Sequence, residues 1–210
     1  MRVLYLHGFA SSPSSRKAQV FAERLREGGA ECLVPALDGG DFASLTISKQ
    51  LALIDAAAGA GPVTLIGSSM GGFLAALYAA SHQNVEKIVL LAPAFGFARR
   101  WPLRLGPEVV AKWRAEGSME VFHYAVGERR RVGIALLDDG VTYPDFPAVT
   151  QPTLIFHGRQ DDVVPYTFSE EFQELHPQAE VHLFDSGHEL TDVLDPMWEL
   201  TAAFLFGVRD

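Results

Sequence analysis

Val63-Thr64-Leu65-Ile66-Gly67-Ser68-Ser69-Met70-Gly71-Gly72 joins two kinds of sequence in ten residues. Its first four residues are apolar or β-branched with no polar alternation, the pattern of a strand buried on both faces of a parallel sheet. After it comes a small-residue run, predicted as a helix over 72–80 that is apolar all round and therefore packed inside. A strand that turns into a helix this abruptly forces strained backbone angles at its apex. It also crowds the positions two residues to either side, where glycine is favoured. Ser69 has Gly67 and Gly71 at those positions, whereas Ser68 has Ile66 and Met70. Ser69 is therefore the candidate nucleophile and Ser68 its neighbour.

Five further apolar runs repeat the strand pattern: Val3 to Leu6, Cys32 to Pro35, Ile88 to Leu91, Thr153 to Phe156, and Val181 to Phe184. Helical periodicity fills the intervals. One segment opens at Ser14-Ser15-Arg16-Lys17, places Ala18, Phe21, Ala22 and Leu25 on one face, and stops at Gly28-Gly29; others cover 45–58, 168–175 and 191–206. The alternation predicts an α/β fold, a mainly parallel sheet of six strands with helices on both faces, in a single domain over 1–210.

Residues 94–147, between the fourth strand and the fifth, are too long for an ordinary crossover and are expected to form a cap or lid inserted in that domain. A helix over 107–115 and a hairpin through Val121, Phe122 and Tyr124 before Gly127 are expected within it. This segment carries eight Lys/Arg and seven Asp/Glu, close to neutral, while the whole chain of 210 residues has a net charge of −9.

That balance disfavours a sequence-independent nucleic-acid binder, because it repels polyphosphates. The seven histidines form no H-E-x-x-H, the single Cys32 has no partner for a Cys/His cluster, and neither a P-loop nor a G-x-G-x-x-G is present. No metal and no cofactor are expected. The start of the chain lacks the apolar core of a secretory signal, no apolar run reaches the length of a membrane span, and one cysteine fits a reducing compartment, so the expected location is the cytoplasm.

A serine hydroxyl needs a base within hydrogen-bond reach, itself oriented by a carboxylate. After a nucleophile on such a turn the partners are expected in the order acid, then histidine. His157-Gly158-Arg159-Gln160-Asp161-Asp162-Val163-Val164-Pro165 follows the fifth strand and offers two carboxylates, and Asp185-Ser186-Gly187-His188-Glu189 follows the sixth. Loops at the carboxyl ends of parallel strands converge on one edge, so these residues are expected to meet Ser69.

With these motifs the chain resembles the α/β-hydrolase superfamily over nearly its whole length. Within it the chain is similar to compact acyl hydrolases: YqiA-type esterases, through the His-Gly-Phe-x-Ser-Ser-Pro start, and the mitochondrial palmitoyl-protein thioesterase of the α/β-hydrolase-domain group, through the Gly-Ser-Ser-x-Gly-Gly elbow and Asp-Asp-x-Val-Pro loop. The mitochondrial address is not expected to carry over. The full fold has eight strands; here the strand leading to the oxyanion loop starts at residue 2, leaving six. The resemblance implies a triad of Ser69, Asp161 and His188, with Asp162 at a variable position. It also implies an oxyanion hole from the Phe9 and Met70 amides, with His7 bracing the loop. His182 is expected to be a strand residue.

The implied activity is cleavage of a carboxylic ester or thioester through an acyl-enzyme. Amide or C–C bond hydrolysis by the same triad, and a non-catalytic binding protein of this fold, are the alternatives. The partner is then a small-molecule acyl substrate. Phe95, Phe97, Trp101 and Trp113 are candidates for an acyl pocket, together with the serine-rich loop 10–15. Arg99, Arg100 and Arg104 are candidates for attracting an anionic leaving group such as a coenzyme A phosphate.

Overall fold

Residues 1–207 are described by a computed structural model of the chain. In order, the elements are β1 (Arg2–Leu6), α1 (Arg16–Glu27), β2 (Glu31–Leu33), α2 (Ile47–Ala58), β3 (Val63–Ser68), α3 (Met70–Ser81) and β4 (Val85–Leu91). Then follow α4 (Phe97–Leu105), α5 (Pro107–Glu116), β5 (Ser118–His123), β6 (Glu128–Gly133) and α6 (Ala135–Gly140). The chain returns through β7 (Thr153–Gly158), α7 (Thr167–Leu175), β8 (Ala179–Phe184) and α8 (Leu194–Phe206).

Six strands form one sheet in the order β2-β1-β3-β4-β7-β8, and every neighbouring pair is parallel. Alternate strand residues point to opposite faces. Leu4, Leu6, Leu65, Leu90 and Ile155 therefore join one core, against α2 and α3, while Val3, Tyr5, Ile66, Val89, Leu154 and Phe156 join the other, against α1 and α8. Both sets are buried, which is why the sequence shows apolar runs without alternation. Parallel strands present their carboxyl ends together, so the loops after β1, β3, β7 and β8 meet along one edge.

The elements depart from the expected ranges for local reasons. β2 ends at Leu33 rather than Pro35, since proline has no N–H for the ladder with β1. α2 starts at Ile47, capped by the Thr46 hydroxyl, which accepts from the Lys49 N–H; a 3₁₀ turn, Phe42–Ser44, precedes it. α8 starts at Leu194, with Pro196 in its first turn, where its missing N–H costs nothing.

Between β4 and β7 lie α4, α5, a two-stranded antiparallel hairpin and α6. The hairpin is longer than expected, pairing Ser118 with Gly133 at one end and His123 with Glu128 at the other. Trp113 ties α5 to it: the indole is buried and its Nε1–H donates to the Val132 carbonyl at 3.1 Å. The Tyr124 N–H donates to the Ala10 carbonyl at 2.9 Å, joining the hairpin turn to the loop after β1.

Candidate active site

Ser69 sits between β3 and α3 with φ 54° and ψ −115°, a left-handed backbone that side chains other than glycine rarely adopt. Such strain persists only where the surroundings over-determine it. Here the Ser69 N–H donates to the Leu91 carbonyl of β4 at 2.8 Å, and the Ser69 carbonyl accepts from Ala94 at 3.0 Å. The flanking glycines are steric requirements. A Cβ on Gly67 would lie 2.2 Å from the Gly71 carbonyl oxygen, and one on Gly71 would lie 2.0 Å from the Leu6 oxygen.

The loops after β7 and β8 are drawn together by the same means. A Cβ on Gly158 would lie 2.2 Å from the Ser186 oxygen, and the Arg159 and Gln160 amides donate to Phe184 and Ser186. This brings His188 between Ser69 and Asp161. His188 Nε2 is 3.0 Å from Ser69 Oγ, and His188 Nδ1 is 2.7 Å from Asp161 Oδ2. An ionised carboxylate only accepts, so the proton sits on Nδ1 and Nε2 is free to accept from the serine hydroxyl.

Asp161 is held from four directions. Oδ1 accepts the Val163 and Val164 amides, each at 2.8 Å, and Oδ2 accepts from His188 and from His157 Nε2 at 3.1 Å. Burial pushes its pKa up, but the hydrogen bonds from His157 and His188 outweigh that and hold the carboxyl well below the usual carboxylate range. Asp162 is exposed on the turn.

His157 has no role in the sequence-based reading, yet it extends the chain of bonds. It is fully buried at the end of β7, shares Nε2–H between Asp161 and the Val164 carbonyl, and has Ser169 Oγ 2.7 Å from Nδ1. A histidine inside an otherwise apolar run is the signal for it, because a buried polar ring requires partners.

The loop after β1 lies against Ser69: a Cβ on Gly8 would stand 3.4 Å from Ser69 Cβ. His7 Nε2 accepts the Leu37 N–H at 3.2 Å, and its Nδ1–H donates to the Gly8 carbonyl at 3.0 Å. Burial lowers the His7 pKa, consistent with a neutral ring bracing this loop. Phe9 and Met70 line the cavity beside Ser69. Met70 begins α3, where the first amides of a helix have no intrahelical acceptor.

The cavity has a volume of about 890 Å³. Phe97 and Trp101 of α4 line it, as do Ser11, Ser12, Ser14 and Ser15. Phe95 and Trp113 do not line it, contrary to expectation. Phe95 is turned into the core, stacked on Phe172 at 4.5 Å, and Trp113 backs Trp101 edge-on at 5.1 Å. Arg100 and Arg104 reach the cavity wall, but Arg99 is paired with Asp145 at 3.2 Å and is not part of it. Arg16 and Lys17, unassigned from sequence, are on the wall. Among the described residues, no three His, Cys, Asp or Glu side chains are gathered to hold a metal, and no helix is long and apolar enough to cross a membrane.

Residues 2–205 match the model of UPF0227, described as an uncharacterised protein family. The chain belongs to UPF0227. Over 158 residues this UPF0227 chain is 30% identical to the AB hydrolase superfamily protein YisY of Bacillus subtilis (strain 168), a stretch covering 59% of each protein. The UPF0227 chain thus spans less than two thirds of that relative.

Among solved structures it is similar to Est1E from Butyrivibrio proteoclasticus, in a complex with ferulic acid. The TM-score is 0.81 at 22% identity, over 98% of this chain and 88% of that one. It is also similar to α/β-hydrolase domain-containing protein 10 from mouse, with a TM-score of 0.79 at 19% identity over 97% and 90% of the two chains. The UPF0227 chain has the α/β-hydrolase fold.

Proposed function

We propose that this protein is a serine hydrolase that cleaves a carboxylic ester or thioester through an acyl-enzyme. The observation carrying the proposal is the continuous hydrogen-bonded series Ser69, His188, Asp161, with its serine at a strained strand-to-helix apex. The similarity to YisY and to Est1E supports a hydrolase.

In this reading Ser69 Oγ attacks the acyl carbon while His188 Nε2 takes its proton. The carbonyl electrons move to oxygen, and the Phe9 and Met70 amides donate to that oxyanion; losing one such donor typically costs about 10²- to 10³-fold in rate. Asp161 stabilises the imidazolium and fixes its orientation. Collapse expels the leaving oxygen or sulfur, which receives the proton from Nε2. Water, deprotonated by His188, then attacks the acyl carbon, and Ser69 leaves with the proton as the carboxylate product forms. Residues 94–147 act as a cap within one domain, contributing Phe97 and Trp101 to the acyl pocket.

A fluorophosphonate probe should label wild-type Ser69 and fail to label the His188→Ala variant. Because triad members act as a unit, Ser69→Ala and His188→Ala should each lower kcat by about 10⁴-fold or more. Near-normal turnover in either variant overturns the assignment. A panel of p-nitrophenyl esters, acyl-coenzyme A thioesters and aminoacyl amides separates ester or thioester cleavage from amide cleavage.

A further inference from the structure

We infer that the substrate is an anion, whose carboxylate or phosphate group is received by Lys17 on the cavity wall. This rests on the hydrolase reading above and names the class of molecule that the same site takes.

Lys17 is the second residue of α1, and only 8% of its surface is exposed. Its exposed remnant borders the cavity that holds Ser69 and His188. Among the described residues its ammonium makes no hydrogen bond, and its one charge contact is Glu189 Oε2 at 3.9 Å, beyond hydrogen-bonding distance. The Glu189 side chain is itself 75% exposed, free to turn to water. Asp161 also acts on Lys17 electrostatically, but both its oxygens are already occupied. Burying an ammonium without hydrogen-bonded partners is costly, so a buried cation facing a cavity favours an anionic occupant.

The rest of the wall agrees. Arg16, Arg100 and Arg104 also border the cavity, and among the described residues Glu189 is the single carboxylate on its lining, in a chain whose net charge is −9. Arg100 is committed elsewhere: Nε donates to the Phe95 carbonyl at 2.8 Å, Nη1 to the Val163 carbonyl at 3.2 Å, and its plane lies 4.9 Å from the Phe168 ring centroid. Lys17 is the buried cation left for a ligand. On the same wall the Ser12 and Ser14 hydroxyls bond to each other at 2.7 Å, which leaves the proton of one of them and that of Ser15 for the remaining oxygens of a carboxylate or phosphate.

The test uses matched esters and the ratio of their kcat/KM values. For an anion on the acyl side, 4-nitrophenyl hydrogen adipate is compared with its methyl ester. For an anion on the leaving group, 4-acetoxybenzoate and 4-acetoxyphenyl phosphate are compared with methyl 4-acetoxybenzoate. The wild type should prefer the anionic member of at least one set. Lys17→Met should reduce that preference by about tenfold to a hundredfold, the range of a lost charged hydrogen bond. Glu189→Gln, at an exposed position where folding is not at risk, should increase it.

If the neutral members are cleaved as well or better, or if both variants leave every ratio unchanged, the anionic assignment is overturned while the hydrolase reading stands. If no ester is cleaved and the fluorophosphonate does not label Ser69, the hydrolase reading has failed and this inference falls with it.

Discussion

Asp161 Oδ2 accepts from two imidazoles at once, and that arrangement separates the roles of the two rings. His188 faces Ser69, whereas His157 faces Ser169 and the core, so in the proposed hydrolase His157 acts only through the carboxylate, as a positioning residue. Its Nε2–H withdraws charge from Oδ2. In His157→Leu, which can make none of these hydrogen bonds, kcat should fall by roughly tenfold. Near-normal kcat in that variant would mean that the ring only fills space. Asp161 also links stability to pH. Its folded pKa is depressed below the ordinary 3.8, so its contribution is fully present above that value and is lost as pH falls through the lower, folded pKa. Asp161→Asn should therefore flatten the acid side of a denaturant-midpoint curve measured from pH 6 downward. At this scale the turn at Ser69 was legible because two glycines mark the apex sterically, and the approach of Asp161 and His188 to it because their loops follow strands. Lys17 carries a signal of its own in the sequence: it shares the spacing 17, 21, 25 with Phe21 and Leu25, which places a cation on the buried stripe of α1.

The element most constrained by its neighbours is the start of α3. Gly71→Ala brings a methyl to within 2.0 Å of the β1 backbone, where no flexible side chain is available to yield, and it should destabilise the protein by about 3 kcal/mol or more in urea unfolding. Trp113→Phe tests the reassignment of that ring from pocket to support. It removes the indole's hydrogen bond to the Val132 carbonyl and leaves space in a buried site, which should cost about 1–3 kcal/mol, visible as a lower Tm, while the ranking of ester substrates stays as it is. The strands were legible because burial on both faces leaves unbroken apolar runs. The pocket lining was legible only in part, because an apolar residue reads the same whether it faces a core or a cavity. Phe97 and Trp101 stand four apart on α4 and share a face, whereas Gly96, with φ 63°, separates them from Phe95 and lets that ring turn inward onto Phe172.

Across the whole molecule, the parallel six-strand sheet and the edge where its loops converge followed from the alternation of strands and helices, whereas the order of the strands did not. The internal arrangement of residues 94–147 did not, since α4, α5 and the hairpin are set by contacts such as Trp113 to Val132 and Tyr124 to Ala10 that join parts distant in sequence. The charge distribution has a further consequence for turnover. Ester hydrolysis creates a new carboxylate, so each product set carries one more negative charge than the substrate it came from. In the proposed reaction the Lys17 ammonium, on the same cavity wall as Ser69 and His188, should prolong the stay of that product, while the field of a chain with net charge −9 should drive it outward once it leaves the cavity. Dissociation rather than bond cleavage should then be the slow event for substrates that fit Lys17 best. The free carboxylate should inhibit competitively, and its inhibition constant should rise about tenfold or more in Lys17→Met, as measured by progress-curve analysis.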